Sequence, residues 1–182
     1  MKNKTFKGDK WVWLDLEMTG LNEKKCVILQ AAMIITDPNL REIASEEVTI
    51  WQPEHELAKM EPFVADLHQK NGLTKAVRVS TRSLMQAEIQ LMETLTKHVN
   101  YKEGILVGNT IYMDRIFLKA HIPAFESYLD YRQIDVSSFK LVCQQWYGEK
   151  GKPNKEPSDH TAMSDIRQSI SELQYYRDNC FR

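Results

Sequence analysis

The 182-residue sequence predicts an α/β layer fold, in which helices pack on the faces of a mixed sheet. Three observations lead there. β-rich runs crowd the first third of the chain, a long stretch of helical period follows, and short apolar strands then alternate with helical segments. Runs joined by tight turns pair as a meander, and strands separated by helices return through crossovers, so one sheet accommodates both kinds.

In chain order, residues 11–17 read as a strand. Val27 to Thr36 is apolar and β-rich, and Glu47 to Gln52 alternates; Asp37-Pro38-Asn39 supplies turn chemistry between these two. From Thr81 to Val99, Leu84, Ala87, Leu91, Leu95 and Val99 recur at helical spacing, with Ser80 or Thr81 available as N-cap. Ile105 to Asn109 reads as a short buried strand entering a turn. A helix then carries Asp114 up to His121-Ile122-Pro123, and Gln133 to Val136 forms a last strand. Ser138 to Trp146 is helical. Gly148 to Ser158 is polar and rich in Gly, Pro and Lys, which predicts a mobile loop ahead of His160. The final helix shows Ile166, Ile170, Leu173 and the stem of Arg177 on one face. No repeat or linker divides the chain, so residues 1–182 are expected to form one domain, with 1–10 a flexible tail.

Composition excludes several classes. The chain is 42% hydrophobic and 27% charged, ordinary for a globular protein, and no apolar run reaches membrane-spanning length. Twenty-four basic against 25 acidic residues give a net charge of -1, which argues against gripping long nucleic acid by counterion release. Cys26, Cys143 and Cys180 are odd in number and widely spaced, as in a reducing compartment. The N-terminus has no apolar core for secretion and no amphipathic import pattern.

The chemistry concentrates in a few acids. Asp15 and Glu17 are two apart in a strand and point to one face, which Trp11 and Trp13 begin as apolar. Two acids bordering a buried face need neutralising, and a hard cation with oxygen ligands does this. Asp114 and Asp165 each fall in a first helical turn, where an acid alone does no more than complement the helix N-terminus. His160 alone is compatible with a solvent-facing loop.

Three segments lift the set above its parts. Asp15-Leu16-Glu17-Met18-Thr19-Gly20-Leu21, Gly108-Asn109-Thr110 leading to Asp114-Arg115-x-Phe117-Leu118, and His160 with Asp165-Ile166-Arg167 resemble the three motifs of the DEDDh 3′-to-5′ exonucleases. Within that family the resemblance is closest to the oligoribonuclease group, and it runs from Trp11 to Phe181, including Tyr131-Arg132-x-Ile134-Asp135-Val136-Ser137-Ser138. It implies an RNase H-like five-stranded sheet: a three-strand antiparallel meander plus two parallel strands, flanked by helices. It also implies a metal-dependent hydrolase that degrades very short single-stranded RNA, dinucleotides included, to 5′-mononucleotides.

On that resemblance Asp15, Glu17, Asp114 and Asp165 hold two divalent cations, Mg2+ or Mn2+, and His160 is the general base. Two such ions about 3.5–4 Å apart hold the phosphate, activate water and stabilise the leaving oxygen. The resemblance marks Tyr131 with His160 as catalytic; Leu21, Phe63 and Tyr131 match positions that wedge or stack bases. Arg132, Thr110, Ser137, His68 and Tyr131 match a cap on the 5′ phosphate, His68 and Tyr131 coming from the second subunit of a homodimer. No membrane and no stable protein partner are implied, and the expected location is the cytoplasm, or the mitochondrion if the source is eukaryotic.

Gln30 stands where the family's second strand carries an acid, Thr110 where Ser is usual, and Phe63 where Trp is common; none is a metal ligand. Two other functions compete. A broader exonuclease acting on long strands would carry a Lys/Arg stripe, whereas here Lys clusters only at the N-terminus and over Lys150 to Lys155. An inactive binding module would have lost at least one signature residue, and all five are intact.

Overall fold

The computed structural model describes residues 9–153 and 161–181. Strands β1 (Lys10–Met18), β2 (Ile28–Thr36) and β3 (Glu42–Thr49) lead into helices α1 (Glu54–Leu57), α2 (Pro62–Lys70), α3 (Leu73–Val79) and α4 (Leu84–His98). Then come β4 (Gly104–Gly108), α5 (Tyr112–His121), α6 (Pro123–Tyr128), β5 (Gln133–Asp135), α7 (Val136–Tyr147), a 3-10 turn over Gly148–Gly151 and α8 (Ala162–Asn179). The strands form one sheet in the order β3-β2-β1-β4-β5. The β1–β2 and β2–β3 pairs are antiparallel; β1–β4 and β4–β5 are parallel. The expected mixed sheet of an antiparallel meander and two parallel strands is therefore present.

Helices cover both faces. Val12, Leu14 and Leu16 of β1 pack with Leu91 and Leu95 of α4, Phe117 of α5 and Phe125 of α6. Trp13 points the other way, into a second core with Ile34, Val107, Cys143 of α7 and Ile166, Leu173 and Tyr176 of α8. Trp13 Nε1 donates to Thr36 Oγ1 at 3.0 Å, so the indole is buried with its polar atom satisfied. β2 lies between two strands and under both helix layers, which is why all nine of its residues are buried and its sequence shows no alternation.

Several boundaries differ from the sequence reading, each for a visible reason. β3 begins at Glu42 and ends at Thr49, whereas Glu47 to Gln52 was expected. It is an edge strand on which only Val48 is buried, so Glu42, Glu46 and Glu47 hid it. Helix α4 is capped by Ser83, not Ser80 or Thr81: Ser83 Oγ accepts from Gln86 N, and Gln86 Oε1 accepts from Ser83 N. Ser80 Oγ instead donates to Thr49 O at 2.7 Å, tying the end of α3 to β3. The three short helices between residues 54 and 79 were not anticipated, being too short to show a period; Pro62 opens α2, and Gly72 at φ 82° precedes α3. α7 starts at Val136, because Asp135 caps it by accepting from Ser137 N at 2.9 Å. On α8 the buried stripe continues to Tyr176, and Arg177 is exposed. Lys10 of the expected tail belongs to β1, and residues 1–8 lie outside the described residues; the expected loop starts as the 3-10 turn, and its residues 154–158 also lie outside the described residues.

Candidate active site

The end of β1 supplies the first two acids. Asp15 and Glu17 share the face of Trp13, the face on which α8 packs, and α8 presents Asp165 in its first turn. One carboxylate oxygen from each of Asp15, Glu17 and Asp165 lies within 4.8 Å of the others. Asp114 arrives from α5, in the opposite helix layer. β4 pairs with β1 only as far as Val107 opposite Trp13, so the Leu16 N–H has no strand partner there. Asp114 Oδ1 accepts it at 3.0 Å. The chain can turn so close to β1 because residue 108 is glycine: a Cβ there would stand 2.9 Å from Leu14 O and 2.8 Å from Ile111 Cδ1.

Burial and repulsion disfavour ionisation of Asp15, Glu17 and Asp114. Asp15 is pushed well above the usual carboxylate range by burial first, then by Asp114, Glu17 and Asp165. Burial and then Asp165 push Glu17 up to about 7. Asp114 also reaches about 7: burial raises it most, the amides of Leu16 and of Asp114 itself oppose that, and Glu17 and Asp135 add repulsion. Oxygen ligands at this spacing, and a field this negative, fit divalent cations.

A second feature points into the same place. His68 of α2 is 2% exposed; its Nε2 lies 3.0 Å from Met18 O, and its Nδ1 lies 3.9 Å from Glu17 Oε2 with no hydrogen-bond partner among the described residues. Burial holds the ring below the usual histidine range. The expectation that His68 reaches across from a second subunit is corrected by this position, deep beside Glu17 of its own chain.

At the ends of β4 and β5 a polar cluster holds the backbone in an uncommon conformation. Thr110 has φ 54°, which costs a β-branched residue about 1–3 kcal/mol, and its neighbours hold it there. Thr110 N donates to Asp135 Oδ1 at 3.0 Å and to Ser137 Oγ at 3.1 Å, and the two hydroxyls of Thr110 and Ser137 are 3.2 Å apart. Ser137 Oγ also donates to Asn109 Oδ1, and Asn109 Nδ2 donates to Ser169 Oγ at 2.8 Å and Glu172 Oε2 at 3.3 Å. Through Ser169, whose hydroxyl donates to Asp165 O, the cluster is tied to the acid-bearing turn of α8.

The other expected residues lie around this centre at different distances. Leu21 stands 70% exposed in the loop after β1, and Phe63 stands 78% exposed on the first turn of α2. Tyr131 is 83% exposed, and the guanidinium of Arg132 is held by the Asp130 carboxylate at 2.9 and 3.0 Å. Both precede β5. Gln133 is paired with Leu106 and thereby level with Val12, so their backbone falls about four to five residues, or about 13–17 Å, short of the level of Asp15. They make no hydrogen bond to Thr110 or Ser137 among the described residues. His160 lies outside the described residues. Asn109, Arg115 and Asp135 stand in the motifs without a role, and Glu172 stands outside them; the signal that marks all four is partnership across the chain, which spacing does not carry.

The sequence pattern of the exonuclease family of RNase T type matches residues 12–173. An oligoribonuclease of Francisella tularensis subsp. tularensis is 42% identical over 170 residues, 93% of this chain and 94% of the relative. One of Pseudomonas aeruginosa is 41% identical over 169 residues, 92% and 94% of the two chains. Among solved structures, an exonuclease I superposes with TM-score 0.71 at 16% identity, over 94% of this chain and 41% of that one. A zinc-bound exonuclease I of E. coli with single-stranded DNA gives TM-score 0.71 at 13% identity, over 96% and 42%. This chain thus spans about two fifths of those longer enzymes, and the likeness speaks for a shared fold. No helix among the described residues is long and apolar enough to cross a membrane.

Proposed function

Since the chain belongs to the exonuclease family, we propose that it is a 3′-to-5′ exoribonuclease that degrades very short single-stranded RNA, dinucleotides included, to 5′-mononucleotides. The observation that carries this reading is the meeting of Asp15, Glu17 and Asp165 within 4.8 Å, with Asp114 close enough to raise Asp15 further. The oligoribonuclease relatives, matched along 93% of this chain, support the substrate class.

The four acids would hold two divalent cations, Mg2+ or Mn2+. Such ions, when bound, fix the phosphate, favour deprotonation of water and stabilise the leaving oxygen. The donor set is all oxygen and thrice disfavoured as free anions, which suits hard cations. His160, five residues before Asp165, takes the proton of the attacking water; its ordinary pKa, about 6.5, lies near working pH. His68 adds a polar ring edge beside Glu17 for a substrate oxygen.

Leu21, Phe63 and Tyr131, all exposed, offer apolar surface to unpaired bases, worth about 1–3 kcal/mol per stacked base and indifferent to sequence. Thr110, Ser137 and Arg132 meet the 5′ phosphate of a dinucleotide, Arg132 leaving Asp130 for a bidentate phosphate contact. Tyr131, displaced along the sheet from its own acids, serves the site of a second copy in a homodimer. The whole chain acts as one exonuclease domain in a reducing compartment such as the cytoplasm.

The test is a labelled RNA dinucleotide beside a twenty-mer, each with Mg2+, Mn2+ or chelator. Cation-dependent release of 5′-mononucleotides, faster on the dinucleotide, is expected. Faster trimming of the twenty-mer would replace this reading with a general exonuclease, and an uncut dinucleotide in the presence of either cation would end it.

A further inference from the structure

We infer that Arg115 is a positioning residue for substrate length: its buried guanidinium fixes the Asp130–Arg132 segment and the strand after it, so that Tyr131 and Arg132 are held ready for the distal phosphate of a dinucleotide. The inference rests on the function proposed above.

Arg115 follows Asp114 on α5 and is 7% exposed. Its Nε donates to Glu126 Oε1 at 2.9 Å, and its Nη2 donates to Asp130 O at 2.5 Å. Its Nη1 donates to Tyr131 O at 2.8 Å, to Arg132 O at 3.1 Å and, more weakly, to Gln133 Oε1 at 3.4 Å. One planar group thus collects three consecutive backbone carbonyls. Those carbonyls lie just before β5, a three-residue strand at the sheet edge with β4 as its sole neighbour among the described residues. So short an edge strand has few hydrogen bonds to hold it, and the guanidinium takes the place of a neighbouring strand.

The residue type follows from this task. An apolar side chain would take this donor from the Asp130 carbonyl, which is buried, and from those of Tyr131 and Arg132, which are partly buried. A lysine has a point charge on a flexible stem and does not span a fixed fork of acceptors. Glu126 neutralises the charge and sets the plane of the group, its side chain being only 16% exposed. Asp130 N, bonded to Gly104 O at 2.9 Å, holds the segment from the other side.

What the clamp presents is on the outside. Tyr131 is 83% exposed, and the Arg132 guanidinium lies 5.7 Å from the centre of its ring, itself held by Asp130. At the far end of β5, Asp135 receives the amides of Thr110 and Ser137. The same side chain therefore sets the entry of the strand that leads to that cluster, while its neighbour Asp114 bonds β1. Loosening the clamp should spoil recognition of the second nucleotide more than hydrolysis itself.

The experiment measures kcat and KM of the full-length wild type and of Arg115→Lys on two substrates. One is an RNA dinucleotide; the other is a p-nitrophenyl ester of a nucleoside 5′-monophosphate, which offers a phosphodiester but no second nucleotide. The ratio of kcat/KM, dinucleotide over ester, should fall about tenfold, mainly through KM. Adding Tyr131→Ala to the lysine variant should cost less than about twofold more, because the two changes remove one effect. A merely structural role would lower both substrates in step and leave the ratio unchanged. Glu126→Gln, which keeps Arg115 but loosens its plane, should move the ratio in the same direction even if the lysine variant does not fold. A wild-type preference for the dinucleotide that survives both substitutions overturns the inference alone. A wild type that hydrolyses the ester and spares the dinucleotide overturns the functional reading and the inference with it.

Discussion

Removing divalent cations with a chelator and raising the pH from about 5 to about 8 should destabilise the fold, because the clustered acids are then forced to ionise together. Glu17 moves from 4.5 to about 7 on folding, and at about 1.4 kcal/mol per pH unit this is a loss of about 3 kcal/mol. Asp114 moves from 3.8 to about 7, about 4 kcal/mol by the same conversion; the two share one field, so the losses do not simply add. The sign follows from proton counts. Between about pH 4.5 and 7 the folded protein holds protons that the unfolded chain has released, so unfolding becomes easier as pH rises through that window. His68, held below its ordinary range, works in the opposite direction at the acid end. Comparing chelated with Mg2+-saturated protein isolates the acids, since bound cations keep them ionised at every pH in the window. For a chain of this size, 1 kcal/mol corresponds to about 2–4 °C, so the gap in melting temperature should widen by roughly 6–12 °C between about pH 5 and 7.5. Thermal unfolding followed by circular dichroism measures it, and calorimetry in buffers of different ionisation enthalpy should show protons released on Mg2+ binding. A gap that stays constant or narrows with rising pH would refute the reasoning.

Three substitutions probe other parts of the molecule. His160→Ala should retain the cation-dependent shift in melting temperature while turnover falls about 10²–10⁴-fold; near-normal turnover removes it as the base. Arg132→Ala should slow dinucleotide cleavage more than cleavage of longer oligomers, and an equal loss on both refutes the cap. Gly108→Ala places a Cβ 2.9 Å from Leu14 O and 2.8 Å from Ile111 Cδ1, so it should cost about 1–3 kcal/mol and reduce activity through Asp114; an unchanged melting temperature would show that β4 gives way.

How much of this could be read from the chain depended on how local each signal was. The helix of Leu84, Leu91 and Leu95 announces itself by period, because one face of it is buried, and the strand carrying Asp15 and Glu17 by its apolar and aromatic run, because helices cover both its faces. β3 did not: Glu42, Glu46 and Glu47 on an edge strand break the apolar alternation. α1 and α3 are fixed by packing of Leu57, Leu73 and Val77 on Leu29, which no short segment reveals. His68 was expected to come from a second subunit and lies instead beside Glu17 of its own chain, since a motif does not state which chain a residue faces.

The sequence by itself determined the mixed sheet, the face shared by Asp15 and Glu17 and the acids that accompany them, because these depend on alternation and on ordered motifs. Only the tertiary structure decided that Asp165 and Asp114 come from opposite helix layers to the end of β1, that His68 turns its Nδ1 toward Glu17, and that Arg115 anchors the approach to β5. The physical reason is range. Alternation acts between neighbours along the chain, whereas burial, repulsion and hydrogen bonding depend on distances between segments up to 150 residues apart, from Asp15 to Asp165.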